Sequence, residues 1–351
     1  MKKIFSIIGA RPQFIKHATV QLELQKYFIA KTIHTGQHYD DLMSKIFFEE
    51  FSIPLPEYSL NIANAKLQGK QTAIMITEIE KVLTAEKPHA VLVYGDTNST
   101  LAATIVTTKM HIPLIHVEAG LRSFNRKMPE EINRIITDEF SNLLFCSTKE
   151  GVKNLKNEGI SHNQIHVVGD VMYDTLKLVL PKLTKISIPN YCFVTLHRPY
   201  NTDNEERIKN ILDVLNNCNK TIIFPLHPRT KGRLNDFGIN LSNYHNIKFI
   251  NPLGYIESIS YQKNAECIIT DSGGIQKEAY WLQKKCITLR SETEWVETLQ
   301  NGWNYLLYED LNELKNLMEK KPEAYIENLY GEGNAAYKIV KHLKKYFKIE
   351  V

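Results

Sequence analysis

Carboxylates follow two apolar runs of this chain, at the point where each run ends. Asp96 comes just after the run 90–94, and Glu118 follows the run 113–117. Because the carboxyl ends of parallel strands meet at one edge of a sheet, we expect the two side chains to lie close together. Neighbouring carboxylates shielded from water can divide the roles of general acid and general base. The pattern therefore indicates acid–base chemistry, with a helix N-cap as the alternative role of Asp96.

A glycine-rich turn, Ser272-Gly273-Gly274, follows the apolar run 267–269 and opens a helical pattern. Glycines let the backbone approach a ligand closely, and the N–H groups at a helix start favour phosphate. From the motif alone, an anion site and an ordinary capped helix are equally good interpretations. Glu278, one turn into the helix, is either an acceptor for ribose hydroxyls or a solvated helix residue.

Basic residues follow three further strand-like runs. Arg11 and Lys16 straddle the turn after 4–8 and could clamp a pyrophosphate, although Lys16 alone would be expected at the surface. This turn has neither the dinucleotide fingerprint nor the P-loop pattern. His197 and His227 each end a strand and each has an arginine within two residues. A single such histidine is usually structural, but two with arginines favour contact with phosphate or developing negative charge.

Glu130 and Glu131 follow Pro129, with Arg134 one turn further on. Proline at the first helical position and acids in the first turn are typical of an ordinary helix start. Taken locally, the residues favour that structural interpretation over a catalytic one.

The composition fits a globular protein with two cores. With 351 residues, 43% of them hydrophobic, the chain is long enough for two α/β domains. A net charge of +4 is too small and too dispersed to predict nucleic-acid binding. The N-terminal apolar run is too short for a signal peptide or a membrane span, so we expect no membrane association. The basic stretch Lys338–Lys348 has helical spacing and predicts an amphipathic helix.

The five cysteines form no Cys-x-x-Cys pair, and four of them lie in apolar runs. Such positions are typical of buried, reduced thiols, which predicts a cytoplasmic protein. The histidines and cysteines show no zinc-ligand spacing, and no Ser-His-Asp arrangement stands out. We therefore predict no metal site.

Strand-like runs alternate with helical patterns, which predicts parallel sheets covered by helices on both faces. The alternation restarts near 169–170, so we predict an α/β fold of two Rossmann-like domains, 1–170 and 171–333, with a cleft between them. Polar clusters at four strand ends suggest one site rather than four unrelated loops. The predicted strands are 3–9, 31–36, 90–95, 113–119, 144–147, 191–197, 221–227, 247–253, 267–270 and 286–289, and the predicted helices include 13–27, 67–86, 97–110, 129–143, 172–180, 205–219 and 274–283.

Eight motifs together resemble the non-hydrolysing UDP-N-acetylglucosamine 2-epimerases, and the match runs from residue 1 to about 345. Any one motif is weak, but eight in the family's order and at family-like spacing are highly specific. The motifs are 9–16, 35–38, 95–100, 116–122, 129–134, 197–198, 270–278 and 330–333.

This resemblance implies a GT-B-like fold, in which the C-terminal helix 334–351 packs back on the first domain. It implies a homodimer, a UDP-sugar as substrate, no added cofactor and a role in surface-polysaccharide precursor synthesis. It also implies a mechanism in which a base removes the C2 proton of the sugar while UDP leaves C1 by anti elimination. UDP then adds back to the 2-acetamidoglucal intermediate, and the proton returns to the opposite face of C2.

The family's functional residues can be matched to this sequence position by position. Asp96, Glu118, Glu130 and His197 match catalytic residues, which reverses the local interpretation of Glu130. Which carboxylate takes the C2 proton stays open. The residues that match contacts to the UDP-sugar are Arg11, Lys16, Gln37, His38, Arg134, His227, Leu253, Ser272, Gly273, Gly274 and Glu278.

The chain departs from the family pattern in places that concern regulation and substrate choice. Tyr39-Asp40 stands where better-known members carry an arginine and bind a second UDP-N-acetylglucosamine as activator, which argues against that regulation. Trp295 replaces a family arginine. Such features resemble the branch acting on UDP-2,3-diacetamido-2,3-dideoxy-glucuronate. That substrate carries a carboxylate, for which Arg122, Arg126 or Lys127 would be the cationic contact.

Three alternatives share this fold or this sequence pattern. A GT-B glycosyltransferase would need an acceptor groove, and no apolar or basic patch in the sequence indicates one. A hydrolysing epimerase, which releases free N-acetylmannosamine and UDP, has similar sequences and must be separated by product analysis. A non-catalytic nucleotide-sugar binding protein would leave the carboxylates unexplained.

Overall fold

The computed structural model describes residues 1–37, 47–60, 62 and 67–349, and the chain divides into two compact units. The first unit comprises Met1–Pro181 with Asn328–Val351, and the second comprises Lys182–Glu327. The sequence-based proposal divides the chain after residue 170 instead. The difference concerns the helix Val171–Val179, which packs on the first helix of the first unit.

Each unit contains a parallel sheet with buried strands. Ala90–Tyr94 shows the pattern, with five apolar residues in a row that are all buried, as expected for a strand covered by helices on both faces. Among the described residues, the strands are β1 (Lys3–Ile8), β2 (Ile29–His34), β3 (Tyr58–Ser59), β4 (Ala90–Tyr94), β5 (Leu114–Val117), β6 (Leu143–Cys146), β7 (Ile165–Val167), β8 (Tyr191–Thr195), β9 (Thr221–Pro225), β10 (Ile247–Ile250), β11 (Cys267–Thr270), β12 (Lys285–Thr288) and β13 (Asn304–Leu306).

The strand order is β3-β2-β1-β4-β5-β6-β7 in the first unit and β10-β9-β8-β11-β12-β13 in the second. In each sheet the chain first runs outward to one edge and then returns to the other side of the first strand. The order therefore reverses between β1 and β4, and between β8 and β11. Ligands of open α/β sheets bind just beyond the carboxyl ends of strands at such a reversal. Gly9, Asp96, His197 and Asp271 all lie at these two places.

The sheets and their flanking helices confirm the predicted α/β class with two Rossmann-like units. The C-terminal helix belongs to the first unit, where Asp174 accepts hydrogen bonds from its first two N–H groups, at 3.1 Å (Ala335) and 2.7 Å (Ala336). The α-helices with both ends among the described residues are α1 (Arg11–Leu24), α2 (Gln68–Glu86), α3 (Asn98–Lys109), α4 (Pro129–Phe140), α5 (Lys149–Asn157), α6 (Val171–Val179), α7 (Pro199–Thr202), α8 (Glu205–Asn216), α9 (Pro228–Asp236), α10 (Tyr255–Asn264), α11 (Gly273–Trp281), α12 (Glu313–Glu319) and α13 (Ala335–Tyr346).

The strands β3, β7 and β13 were not predicted, because runs of two or three residues are too short to show a period. The predicted helix 129–143 ends earlier, at Phe140, because Leu143 already belongs to β6. None of the helices in the described part of the chain combines the length and the apolar character needed to cross a membrane.

Candidate active site

Gln13 ties together the two strand ends at the reversal in the first sheet. Its side-chain oxygen accepts hydrogen bonds from the backbone N–H groups of Gly9 (2.8 Å) and Ala10 (3.1 Å). Its amide nitrogen donates to the carbonyl of Tyr94 (2.9 Å) and the hydroxyl of Thr100 (3.1 Å). Because Gln13 is only 1% exposed, these bonds fix the turn after β1 against the turn after β4.

A glycine is required at position 9 because side chains from the loop after β2 and from the start of α3 come close to it. The Thr35 and Ser99 hydroxyls are 2.8 Å apart, and a Cβ on Gly9 would lie 2.1 Å and 2.2 Å from them. Gln37 binds the same serine. Its side-chain oxygen accepts hydrogen bonds from the Ser99 N–H (3.0 Å) and the Ser99 hydroxyl (2.7 Å). In this structure Gln37 therefore anchors the start of α3.

Lys16 and Glu118 form a buried ion pair at this reversal. Lys16 is 8% exposed and Glu118 is 6% exposed, so the expectation that Lys16 alone would lie at the surface is wrong. A Cβ on Gly95 would lie 3.0 Å from the Lys16 ammonium and 3.1 Å from a Glu118 oxygen. The pair is therefore packed directly against the turn that precedes Asp96.

The backbone around this pair adopts conformations that favour glycine. Gly95 has φ +60° and Gly120 has φ +79°, but Glu118, which is not a glycine, has φ +72°. Such a conformation costs an L-residue roughly 1–3 kcal/mol. It holds the Glu118 carboxylate at the end of β5, where the N–H groups of Glu118 and Ala119 both donate to Phe145 at 3.0 Å.

Asp96 also pairs with a cation, the guanidinium of Arg134 on α4, which is 4% exposed. Arg134 in turn lies 3.2 Å from a Glu131 oxygen. The Asn133 side chain donates to the Asp96 backbone carbonyl at 2.8 Å. Helix α4 thus holds Asp96 through both its side chain and its backbone. Glu130, in the first turn of the same helix, is half-buried.

Glu131 shapes the loop between β5 and α4. Its carboxylate accepts hydrogen bonds from the Ser123 N–H (2.9 Å), the Ser123 hydroxyl (3.0 Å) and the Phe124 N–H (2.9 Å). It is 1% exposed, so a residue that reads locally as a solvated helix-start acid is instead a buried anchor. The loop it holds carries the exposed residues Arg126 and Lys127.

A second buried charge network lies beside the carboxylates. The two ring nitrogens of His116 lie 2.6 Å from an Asp138 oxygen and 2.8 Å from the Gly95 carbonyl. Asp138 also accepts hydrogen bonds from Gly120 N–H (3.1 Å) and Arg122 (2.7 Å). Burial alone would raise the pKa of Asp138, but the charges and hydrogen bonds of His116 and Arg122 outweigh it and hold the pKa below its usual value.

Arg122 cannot serve as the cationic contact considered for a uronate substrate. Its side chain is 1% exposed and is engaged by Asp138 and by both oxygens of Glu158. Reorienting it would take the guanidinium away from both Asp138 and Glu158. Of the three candidates from the sequence, only Arg126 and Lys127 are exposed.

In the second unit, Asp271 organises the end of β8. Its carboxylate accepts hydrogen bonds from the backbone N–H groups of His197 (3.1 Å) and Arg198 (3.0 Å) and from the Asn201 amide (3.2 Å). It also lies 3.1 Å from Nδ1 of His197. Burial alone would raise the pKa of Asp271, but the hydrogen bond and charge of His197, with the Arg198 and Asn201 donors, hold it below its usual value.

The glycine-rich turn opens α11 as predicted. Ser272 occupies the N-cap position, but its side chain makes no capping hydrogen bond. The first N–H groups of a helix have no intrahelical acceptor, so this end suits an anion. Glu278 is 3% exposed and accepts a hydrogen bond from Gln262 at 2.8 Å. The interpretation of Glu278 as a solvated residue is therefore wrong.

Trp295, from a later segment of the chain, packs against Gly273, the first residue of the same helix. A Cβ on Gly273 would be 3.3 Å from its indole nitrogen and 3.9 Å from the Arg290 guanidinium. The Lys277 ammonium lies 3.6 Å from the centre of the Trp295 ring, within the range of a cation–π contact. Positive charge therefore remains beside Trp295, the position where the family pattern has an arginine.

The remaining predicted residues occupy simpler surroundings. Arg11 is the first residue of α1, with its guanidinium 5.1 Å from the centre of the Phe47 ring. His227 is exposed, caps α9 by accepting the Arg229 N–H (3.2 Å), and has its ring 5.9 Å from that of His197. Leu253 packs on an apolar cluster of the second unit. His38, like the Tyr39-Asp40 pair, lies outside the described residues.

Sequence reasoning missed Glu131, Asp138 and Asp271 as supports of the site. Asp271 sat inside a motif that was singled out, but Asp138 lies in the interior of a helix and had no local signal. Within the described residues, no group of three or more histidine, cysteine, aspartate or glutamate side chains is arranged to hold a metal ion.

Comparison with known proteins gives one consistent result. The family model described as UDP-N-acetylglucosamine 2-epimerase matches residues 21–344. A Methanococcus maripaludis protein named UDP-N-acetylglucosamine 2-epimerase homolog is 49% identical over 97% of this chain and 99% of its own. The UDP-2,3-diacetamido-2,3-dideoxy-D-glucuronate 2-epimerase of Pseudomonas aeruginosa is 43% identical over 98% and 99%. The crystal structure of the Methanocaldococcus jannaschii UDP-GlcNAc 2-epimerase, in complex with UDP-GlcNAc and UDP, is 43% identical, covers 98% and 99%, and has a TM-score of 0.91.

Proposed function

Because the chain belongs to the UDP-N-acetylglucosamine 2-epimerase family, we propose that it inverts C2 of a UDP-linked 2-acetamido sugar without hydrolysing it. The substrate is UDP-N-acetylglucosamine and the product is UDP-N-acetylmannosamine, a precursor for surface polysaccharides. The observation that carries this proposal is the pair of carboxylates, Glu118 and Asp96, each held by a cation at the strand-order reversal of the first sheet.

Inversion at C2 needs proton transfer on two faces of the sugar ring. A base takes the C2 proton from one face while the C1–O bond breaks and UDP leaves with the bonding electrons. An acid returns a proton to the other face while a UDP oxygen bonds to C1 again. A single fixed group cannot serve both faces, so more than one acid–base side chain is required. Asp96, Glu118 and Glu130 supply this set.

UDP binding is assigned to residues of the second unit. The N-terminal turn of α11 presents the backbone N–H groups of the 272–274 segment to the diphosphate, aided by the helix dipole. Glu278, fixed by Gln262, accepts hydrogen bonds from the ribose hydroxyls. His197, oriented by Asp271, meets the negative charge that develops on the leaving diphosphate.

A second substrate is favoured by one observation. Arg126 and Lys127 are both exposed on the loop held by Glu131, where they can meet an anionic group. The Pseudomonas aeruginosa relative is named for a UDP-linked uronate, whose sugar carries a carboxylate. UDP-2,3-diacetamido-2,3-dideoxy-glucuronate is therefore the alternative substrate of the same reaction.

The remaining parts of the proposal rest on the family and on the thiols. We assign a homodimer because the family resemblance implies one, and no added cofactor because the elimination and re-addition steps are redox-neutral. The five cysteines are all free and buried, which is typical of a protein kept in a reducing compartment such as the cytoplasm.

Product analysis by chromatography and mass spectrometry tests the function. The purified protein is incubated with each UDP-sugar in turn, without an acceptor. A UDP-linked epimer of unchanged mass supports the proposal, and the better substrate identifies the branch. Free N-acetylmannosamine with UDP would make the protein a hydrolysing epimerase. Turnover only after an acceptor is added would make it a glycosyltransferase.

A further inference from the structure

His116 is a fully buried histidine to which the reaction scheme gives no role. It is 0% exposed and lies in β5, two residues before Glu118. Both of its ring nitrogens have partners, Asp138 at 2.6 Å and the Gly95 carbonyl at 2.8 Å. It therefore joins helix α4 to the turn that carries Asp96.

The partners determine which ring nitrogens carry protons. A backbone carbonyl can only accept, so the nitrogen facing Gly95 must donate. Asp138 already accepts from the Gly120 N–H and from Arg122 through its other oxygen, which is the behaviour of an ionised carboxylate. The second ring nitrogen therefore also donates, and the ring of His116 is a cation.

The surrounding charges balance this cation. His116 and Arg122 supply two positive charges, while Asp138 and Glu158 supply two negative ones. A buried charge is tolerated only when it is paired and hydrogen-bonded, and this cluster meets both conditions. If the ring were neutral, the cluster would carry an excess negative charge. With the only ring proton on the nitrogen that faces Gly95, the nitrogen that faces Asp138 would have none to donate.

We propose that His116 is a positioning residue, a buried cation that fixes the Gly95 carbonyl and so orients Asp96 and Glu118 for proton transfer at C2. It acts through two connections. One runs through Gly95 to the turn that carries Asp96 and packs against the Lys16–Glu118 pair. The other runs through Asp138 to the Gly120 N–H, two residues after Glu118. The kinetic part of this inference rests on the proposed function, whereas the charge on the ring does not.

The charge is tested by ¹⁵N NMR of the protein labelled at histidine, with His116→Gln used to assign the signals. Because both ring nitrogens of His116 face acceptors, both are expected in the range of protonated nitrogens. A signal in the range of an unprotonated ring nitrogen would overturn the proposal. The measurement is made on the wild-type protein, and if the variant fails to fold, the His116 ring signals are assigned by correlation to its own backbone signals.

The positioning role is tested by two substitutions that each keep one contact. The Gln amide of His116→Gln can reach the Gly95 carbonyl, whereas the shorter amide of His116→Asn reaches only Asp138. Misplacing a reacting group by about 1 Å can cost around 100-fold in rate. We expect His116→Asn to lower kcat by about 10- to 100-fold with little change in KM, and His116→Gln to restore part of that loss.

A matched control separates positioning from general destabilisation. His166 lies on β7 in the same unit and stacks on His342, with ring centres 4.1 Å apart. His166→Gln is expected to lower thermal stability and leave kcat unchanged. Wild-type kcat in both His116 variants would overturn the positioning role, as would equal losses in His116→Gln and His116→Asn. If the wild-type protein epimerises neither sugar, the proposed function fails, while the NMR result still decides whether the ring is charged.

Discussion

The two units each place a histidine beside an aspartate at a strand end, but the two pairs differ in exposure. His116 is fully buried and both of its ring nitrogens face protein acceptors. The side chain of His197 is 35% exposed, with Nδ1 held by a fully buried Asp271. The same two residue types can therefore form a pair enclosed by protein or a pair whose histidine is partly open to solvent. The difference lies in burial and in the partner of the second nitrogen.

The largest expected effect comes from the carboxylate that the buried network supports. Glu118→Gln removes the charge that pairs with Lys16 and the capacity for proton transfer, so we expect kcat to fall by about 10³-fold. UDP binding, measured by calorimetry, is expected to stay close to wild type. Loss of UDP binding together with a lowered unfolding temperature would instead make Glu118 a structural residue.

Substitutions of His197 and His116 are expected to change different kinetic constants. His197→Asn keeps a donor toward Asp271 but removes the outer part of the ring, so kcat/KM is expected to fall by about 100-fold with weaker UDP binding. His116→Asn is expected to change kcat alone. Steady-state kinetics with UDP-sugar and direct UDP titration distinguish them. Identical patterns in the two variants would erase the contrast between a ligand contact and an internal cation.

Asp271, in the second unit, is expected to make the free energy of unfolding depend on pH. Because the folded-state pKa of Asp271 is lowered, its carboxylate stabilises the fold above the ordinary aspartate pKa near 4. This contribution is lost as the pH falls through the lower folded-state value. Asp271→Asn is expected to lower the free energy of unfolding by about 2 kcal/mol at neutral pH.

Urea unfolding followed at several pH values checks this prediction. Between neutral pH and about pH 4, the loss in Asp271→Asn should stay nearly constant, and below that range the two proteins should converge. The same measurement on Asp138→Asn compares the fully buried pair. A difference between wild type and Asp271→Asn that grows on acidification would contradict the direction of the shift.

The smallest expected effect concerns two arginines of one loop, which differ in burial as the two histidines do. Arg122 is buried and its charge is neutralised, whereas Arg126 is exposed beside Lys127. We expect the double variant Arg126→Gln/Lys127→Gln to lower kcat/KM for the diacetamido uronate by about 5-fold, the upper range of one exposed charge contact, and to leave UDP-N-acetylglucosamine unaffected. Equal effects on both sugars would remove the loop from substrate choice.

The sequence was sufficient to locate the strand ends and their polar residues, because buried parallel strands are continuous apolar runs and the turns that follow are polar. Asp96, Glu118 and His197 were all singled out from this pattern. The partners of these residues could not be predicted in the same way. Lys16 and Glu118 are 102 positions apart, and only the folded sheet brings them together.

Local interpretation was least successful for acids in helices. Glu278 has a solvated helix residue as one interpretation, Glu131 reads as an ordinary helix-start acid and Asp138 has no local signal, yet each is at most 3% exposed. A helical period cannot reveal which turn faces a buried arginine or histidine, because the partner lies on another element. The resemblance to a family, by contrast, predicts a catalytic role for Glu130, which its surroundings in sequence do not, and this role stays a prediction.

Proton NMR of the wild-type protein with UDP-N-acetylglucosamine in D₂O tests the central claim most directly, and the diacetamido uronate serves as the second substrate. The account predicts that a UDP-linked manno epimer forms and that its C2 position carries deuterium, since the C2 proton is removed and a solvent-derived one is added on the opposite face. An epimer that retains its original proton at C2, or no change at C2 with either sugar, would contradict it.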